Sequence, residues 1–431
     1  MKADLIERGR SFRTAMLMTF YISFISYQLL GRPVSLNPLF TVQNIILSIC
    51  LLSLSFSALH LIAVEKQIIF NRQLQMLTVI LIFALISILW AKSTVRLIQL
   101  LKFQVLSWAA FGILVSTVRD RKQIKYWIGF LVFLPIFSII IITAITLIYP
   151  PAGGPSIGYF RNFPFDSNIN IHSITLLTAF PIATHYFYHG DTIYKRLVGV
   201  FILASGIIVI LLSGSRSPFL VLGFYLVGLA ILNHKQIGWQ QSQTVARAAL
   251  TLSISFMPII LLFEPSIFGR LVERSVLELT YLIQGDLSEP GPVRSRIYIT
   301  VWYIISEPHN LLTGVGFNNF GTVYAEYSGQ NYYPNPHNPI FKLLTELGVL
   351  GAIFITLIIS FPLIWTYKGL LQIGNRVRAS EFASIGWVYV LLLCFGIFQP
   401  LLSRHQFFIS SALVFSLYRL SGSEPGQEDG D

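Results

Sequence analysis

Charge is scarce in this 431-residue chain: Asp, Glu, Lys and Arg make up 11% of it, against about 25% in ordinary soluble domains. That scarcity excludes a soluble globular fold, and the 54% hydrophobic content predicts an all-α integral membrane protein. Cysteine is scarcer still. Cys50 and Cys394 both fall inside apolar runs and the longest connection has no cysteine, so no disulfide framework is expected. His-Glu-X-X-His, a Walker loop and Cys/His metal spacing are all missing, and no pair of acidic residues is placed to hold a divalent ion, so neither metal nor cofactor is expected. No repeat of about 20–50 residues and no inverted hydropathy symmetry is visible, which argues against a repeat-built transporter. A small-residue cleavage pattern is also missing after the first apolar stretch, which therefore reads as a retained anchor.

What the chain does have is apolar sequence in lengths that cross a bilayer. A hydrocarbon core of about 30 Å needs about 20 mainly apolar residues per helical crossing. Twelve such stretches begin near residues 14, 37, 74, 97, 126, 171, 196, 217, 246, 339, 381 and 403. Twelve crossings put both termini on one side. Arg8, Arg10 and Arg13 precede the first; Arg119, Arg121, Lys122 and Lys125 follow the fourth; Lys195, Arg196, Lys235, Arg247, Lys368, Arg376 and Arg378 continue the same side. Positive-inside usage makes that side cytoplasmic. The formal charge of +11 is then a topology signal and an attraction to anionic membrane lipids, with no nucleic acid implied.

The expected organisation is a set of nine transmembrane helices over 1–263, one large outer loop over 264–338, transmembrane helices 10 to 12 over 339–420, and a tail over 421–431 whose acidic composition predicts disorder. Inside the loop, "IFGRLVERSVLELTYLIQ" spaces its apolar residues at helical period with charges between, as an amphipathic helix over the membrane domain would. "GDLSEPGP" breaks it, and "VRSRIYITVWYIISE" predicts a second helix. A turn-rich segment containing Gly314, Gly316 and Gly321 follows, then "NYYPNPHN", whose Tyr332 and Tyr333 suit a membrane interface.

Asn338 is a good helix cap and Pro339 suits the first helical position, which leaves His337 just outside the start of the tenth span. The partial positive charge of a helix N-terminus disfavours imidazolium, and a neutral imidazole is what a general base requires. The alternative is a polar residue at the interface with no chemistry. Arg161, Arg216, Arg270, Arg274, Arg294 and Arg296 all fall on the outer face, the side normally poor in basic residues. Arginine's planar fork binds phosphate bidentately, so this cluster is a candidate pyrophosphate cradle; separate anchoring to lipid headgroups is the alternative. Lys102 and Lys342 are the main ionisable residues within spans, and Lys342 lies close enough to the helix start to snorkel.

These residues resemble the bacterial O-antigen ligase and polymerase superfamily of polytopic glycosyltransferases. The ligase branch carries His followed by Asn, Ser or Gln, nine residues, then Gly-X-X-Gly; here that reads His337-Asn338, Pro339 to Leu347, then Gly348-Val349-Leu350-Gly351. An Arg-X-X-X-Leu feature is matched by Arg216 to Leu220. A helical arginine followed by Trp and a Gly-X-Gly-X-X-X-Phe turn resembles Arg296, Trp302 and "GVGFNNF". Ala352 and Ile353 depart from the small hydroxyl residues that often follow the second glycine.

The resemblance implies a ligase of the bacterial inner membrane, working at the periplasmic face without a cofactor. It would transfer a glycan from undecaprenyl pyrophosphate to lipid A-core, with inversion. By the same resemblance His337 takes the acceptor proton, and Arg216 and Arg296, with Arg161, Arg270 or Arg274, stabilise the leaving pyrophosphate. Gly348 and Gly351, one turn apart, are expected to admit a neighbouring span closely. The alternatives are a polymerase, which would want two large outer loops, a protein O-oligosaccharyltransferase, and a lipid-linked glycan transporter.

Overall fold

The computed structural model describes residues 2–30, 42–65, 69, 71–148, 169–213, 217–218, 220–226, 280, 293–328, 336, 338–373, 376–396 and 405–422. Among the described residues the secondary structure is helical, with no strand. Helices α1 (Lys2–Leu30), α2 (Val42–His60, continued by a π-helical turn over Leu61–Glu65), α3 (Arg72–Ile86), α4 (Thr94–Thr117), α5 (Arg121–Ile148), α6 (Ile169–His189) and α7 (Ile193–Ser213) come first. Then follow α8 (Val293–Ser306), α9 (Pro308–Thr313), α10 (Phe320–Ser328), α11 (Pro339–Gln372), α12 (Arg376–Gly396) and α13 (His405–Gly422). The expected span from 246, the amphipathic helix at 267–284 apart from Thr280, Tyr332, Tyr333 and the acidic tail from 423 lie outside the described residues.

Three described helices, Ile45–Ala63, Arg72–Leu89 and Pro339–Gln372, are long and apolar enough to cross a membrane, and shorter apolar helices lie at Gln104–Thr117 and Ser380–Gly396. The chain is a helical membrane protein. Its α2 shows how such a helix sorts its faces. Ile45, Ile49, Leu52, Phe56, Leu59 and Ile62 point outward, while Cys50, Ser53, Leu54, Ser57 and Leu61 are buried. Lipid tails are as apolar as leucine, so helices gain little by hiding leucine from them; small and polar side chains turn inward, where close packing and hydrogen bonds are available.

The shaft of the molecule is built around α11, which packs against α3, α12 and α13; α13 leans on α4, and α12 on α6, which pairs with α7. Buried Gln73 on α3 donates to the Ile358 carbonyl of α11 (3.2 Å) and to Ser411 Oγ of α13 (3.4 Å), tying three helices at one point. Arg13, counted among the flanking cations in the sequence, is wholly buried. A second, smaller core of Ile297, Val301, Ile304, Val315, Phe320, Val323 and Tyr324 belongs to α8, α10 and the turn between α9 and α10.

Helix α11 is bent. At Gly348 the backbone has φ 69° and ψ −163°, which divides the 34 residues into a head, Pro339–Leu347, and a shaft from Val349 onward. At 1.5 Å per residue the shaft alone is about 36 Å long, enough to cross the hydrocarbon core without the head. Only glycine adopts that conformation readily, and a Cβ at this position would run into the Leu312 backbone carbonyl of α9. Gly348→Ala is therefore expected to destabilise the protein by roughly 1–3 kcal/mol from backbone strain alone, with the clash added. Thermal unfolding in detergent measures this, and an unchanged melting temperature would show that the bend is not required.

Candidate functional site

The site is organised by what the bend does to hydrogen bonding. The non-helical backbone at Gly348 takes the Thr345 and Glu346 carbonyls out of the helical ladder. Both are recovered by the Gly-rich turn: Val315 N–H donates to the Thr345 carbonyl (2.9 Å) and Gly316 N–H to the Glu346 carbonyl (3.0 Å). Gly314, with φ 71°, ends α9 directly over the Glu346–Leu347 peptide, where a Cβ would meet backbone. Two sequence features that looked independent, the Gly-X-X-Gly of the tenth span and the Gly-X-Gly turn, are thus two sides of one backbone junction.

The turn is held equally firmly on its other side. Phe317 N–H donates to Ser87 Oγ (3.0 Å), Asn318 Nδ2 to the Arg96 carbonyl (2.7 Å), and Ser93 N–H to Asn319 Oδ1 (2.6 Å). Ser87 and Ser93 lie in the α3–α4 connection and Arg96 in the first turn of α4. An ion pair between Lys92 and Glu326 adds α10 to the same contact. Asn318 sits at φ 59°, a left-handed conformation that asparagine tolerates better than bulkier residues. Phe317 is buried in the main core with Leu343 and Leu347, while Val315 and Phe320 belong to the small core. The turn therefore clamps the two cores together.

At the start of α11, Asn338 Oδ1 accepts from Ile340 N–H (2.8 Å) and Phe341 N–H (3.3 Å), and Pro339 occupies the first turn. This is the cap that the sequence pattern calls for, and it fixes where the helix begins. The same end meets α8: the Tyr298 ring lies edge-on to the Phe341 ring, with centroids 5.8 Å apart. Tyr298 is two residues beyond Arg296, and Phe341 four beyond His337. Arg296 is only 4% exposed, so it is not a headgroup anchor; it belongs to the protein interior on α8. Trp302, six residues later, is on the exposed side of that helix.

His337, Arg161, Arg216, Arg270 and Arg274 lie outside the described residues, as does the side chain of Arg294. Of the sequence candidates the structure therefore describes Arg296 on α8, and Asn338, Gly348 and Gly351 at the cap and bend of α11. The expected role of the glycine pair needs correction in its partner. Gly348 meets α9, a six-residue helix, and Gly351 meets the Leu343 carbonyl across the bend; among the described residues neither has a neighbouring span as its nearest contact. Lys342 is likewise no snorkelling residue. It is 7% exposed, with Nζ 5.8 Å from the centre of the Phe317 ring.

Sequence reasoning passed over Glu346, Ser87, Ser93, Asn318 and Asn319. Glu346 had a visible signal, a lone carboxylate within an apolar run; the serines and asparagines had none, because their roles depend on what the fold sets opposite them. Around α9, Glu307 accepts from Tyr327 Oη (2.8 Å) and from Asn310 Nδ2 (2.5 Å), and the carboxylate raises the Tyr327 phenol above its ordinary value by accepting its proton in a hydrogen bond. Among the described residues no three His, Cys, Asp or Glu side chains group as metal ligands would.

A bent membrane helix, capped at its start and clasped by a glycine turn from the preceding loop, defines a polytopic helical protein with a loop-built site at one end of its bundle. Residues 199–356, from α7 to just beyond the bend, match the family model described as O-Antigen ligase, and that match supports a member of the O-antigen ligase superfamily. The match takes in His337, Arg216, Arg270, Arg274, Arg296 and both glycines of the bend, and leaves Arg161 outside. Members of this superfamily are glycosyltransferase-like ligases and polymerases that act on lipid-linked glycans and membrane-embedded acceptors. No curated protein matches the chain.

Proposed function

We propose that this protein is an O-antigen ligase: it transfers a glycan from undecaprenyl pyrophosphate to the lipid A-core oligosaccharide. The observation that carries this reading is the docking of the Gly314–Phe320 turn on the head of α11, next to the His-Asn-X9-Gly-X-X-Gly start of that helix. Arg296 is buried on α8, whose Tyr298 packs on Phe341 at the start of α11, and the proposed displacement gives Arg296 and His337 the two roles it needs. In the proposed reaction the acceptor hydroxyl oxygen attacks the anomeric carbon and His337 takes its proton. The bond from that carbon to the pyrophosphate oxygen breaks with inversion, and the leaving charge is stabilised by Arg296 and Arg216, with Arg161, Arg270 and Arg274 as further contributors.

The proposed setting is the bacterial inner membrane. Twelve spans keep both termini cytoplasmic, and the 264–338 loop and the site face the periplasm, as the lysine and arginine distribution supports. The shared chemistry leaves a polymerase as the other reading, and one assay separates the two. Purified protein is incubated with undecaprenyl-pyrophosphate glycan and lipid A-core, and products are resolved on a gel. Ligation moves glycan to lipid A-core; polymerisation lengthens the lipid-linked glycan and leaves lipid A-core untouched. Arginine is proposed to neutralise the phosphate charge, so transfer is expected to survive EDTA. Loss in EDTA with recovery on adding Mg²⁺ would overturn the arginine cradle.

A further inference from the structure

Two ionisable side chains lie inside the docked junction, and the proposed reaction uses neither. Glu346 is fully buried and Lys342, one helical turn earlier, nearly so. Both are on the head of α11 beneath the turn. The Glu346 carboxylate faces the backbone N–H groups of Asn318 and Phe320, and neither of its oxygens completes a hydrogen bond of full geometry. The Lys342 ammonium supplies the opposite charge, and its Nζ lies over the Phe317 ring. A buried carboxylate left without its counter-charge is strongly unfavourable, whereas one placed against N–H groups and an ammonium draws both toward it. The three turn residues that the pair addresses, Phe317 through Lys342 and Asn318 and Phe320 through Glu346, are the ones that reach into the main core, the start of α4 and the small core.

We propose that Glu346 and Lys342 are positioning residues: a charged latch that fixes the Gly314–Phe320 turn, and with it the Arg296 helix, against the start of α11. The carboxylate is closed off beneath the turn, so it acts through the backbone it holds rather than on a sugar. The consequence for transfer rests on the ligase reading; the latch itself does not.

The test is hydrogen exchange on the full-length protein in detergent, comparing wild type with Glu346→Gln, Lys342→Met and the double variant. In wild type the Val315, Gly316 and Phe317 amides are bonded to Thr345, Glu346 and Ser87, and slow exchange is expected there. Each single variant is expected to speed exchange of these amides about tenfold or more while α12 and α13 keep wild-type rates. The double variant is expected to recover part of the protection, because neither charge is then left alone. Transfer should fall in the single variants by roughly 10–100-fold in kcat with little change in KM for the donor, as for misplaced but present catalytic groups.

Wild-type protection of the turn in either single variant would overturn the latch, and loss of transfer with unchanged exchange would assign Glu346 a direct chemical part instead. If Glu346→Gln fails to fold, Lys342→Met read by exchange alone decides. Exchange is read without substrate, so an inactive wild-type preparation would count against the ligase reading and leave the latch to be judged on exchange.

Discussion

His337→Ala is expected to abolish glycan transfer to lipid A-core while leaving the protein folded and inserted. A positioned general base contributes roughly 10²–10⁴-fold, and the acceptor hydroxyl has no other proton acceptor in the proposed reaction. Folding should be spared because the start of α11 is fixed by its neighbours. Asn338 caps the helix through Ile340 and Phe341, Pro339 sets its first turn, and the Lys342 N–H donates to the Asn338 carbonyl at 2.9 Å. The gel assay on purified variant, beside its thermal unfolding curve, measures both halves. Wild-type transfer by a well-folded variant would remove His337 from the mechanism.

Arg296→Ala should cost transfer about as heavily, roughly 10²-fold or more, and Arg296→Lys is expected to restore little of it. A lysine brings the charge without the planar fork, and at a site this buried it must also bury a compact, strongly hydrated ammonium. The same pair of substitutions at Arg216 tests whether both arginines hold the leaving pyrophosphate. Full rescue by lysine at either position would reduce its role to neutralising charge. Because Arg296 lies on a helix of the small core, the unfolding curve must accompany the activity: a lower melting temperature with transfer retained would make it a structural arginine.

Several features were legible before any coordinates. Apolar lengths gave a helical membrane protein, and α3 to α7 begin within about five residues of the expected spans. The α8 helix falls where "VRSRIYITVWYIISE" places it, and the Asn338-Pro339 cap reads directly from the two residues. These are local: a cap, a period and a length are settled by residues next to each other in the chain. Gly348 was legible only in part. Its identity and spacing mark close backbone approach, but that approach comes from the loop helix α9 rather than from another span.

By itself, then, the sequence determined that the chain is helical and membrane-embedded, where α11 starts, and which residues resemble a glycan-transfer site. Only the tertiary structure decided that the two glycine features are one junction, that Ser87, Ser93 and Asn319 hold the turn, and that Lys342 and Glu346 lie beneath it rather than at a surface. The reason is one of range. Hydrophobic length and helix caps are properties of contiguous residues, whereas carbonyls released by a bend are satisfied by donors about 30 residues away in the loop, and the turn that provides them is held by groups more than 200 residues earlier. Which distant groups meet, the Ser87 side chain and the Ser93 and Arg96 backbones among them, is fixed by how the helices pack, and no single stretch of sequence records it.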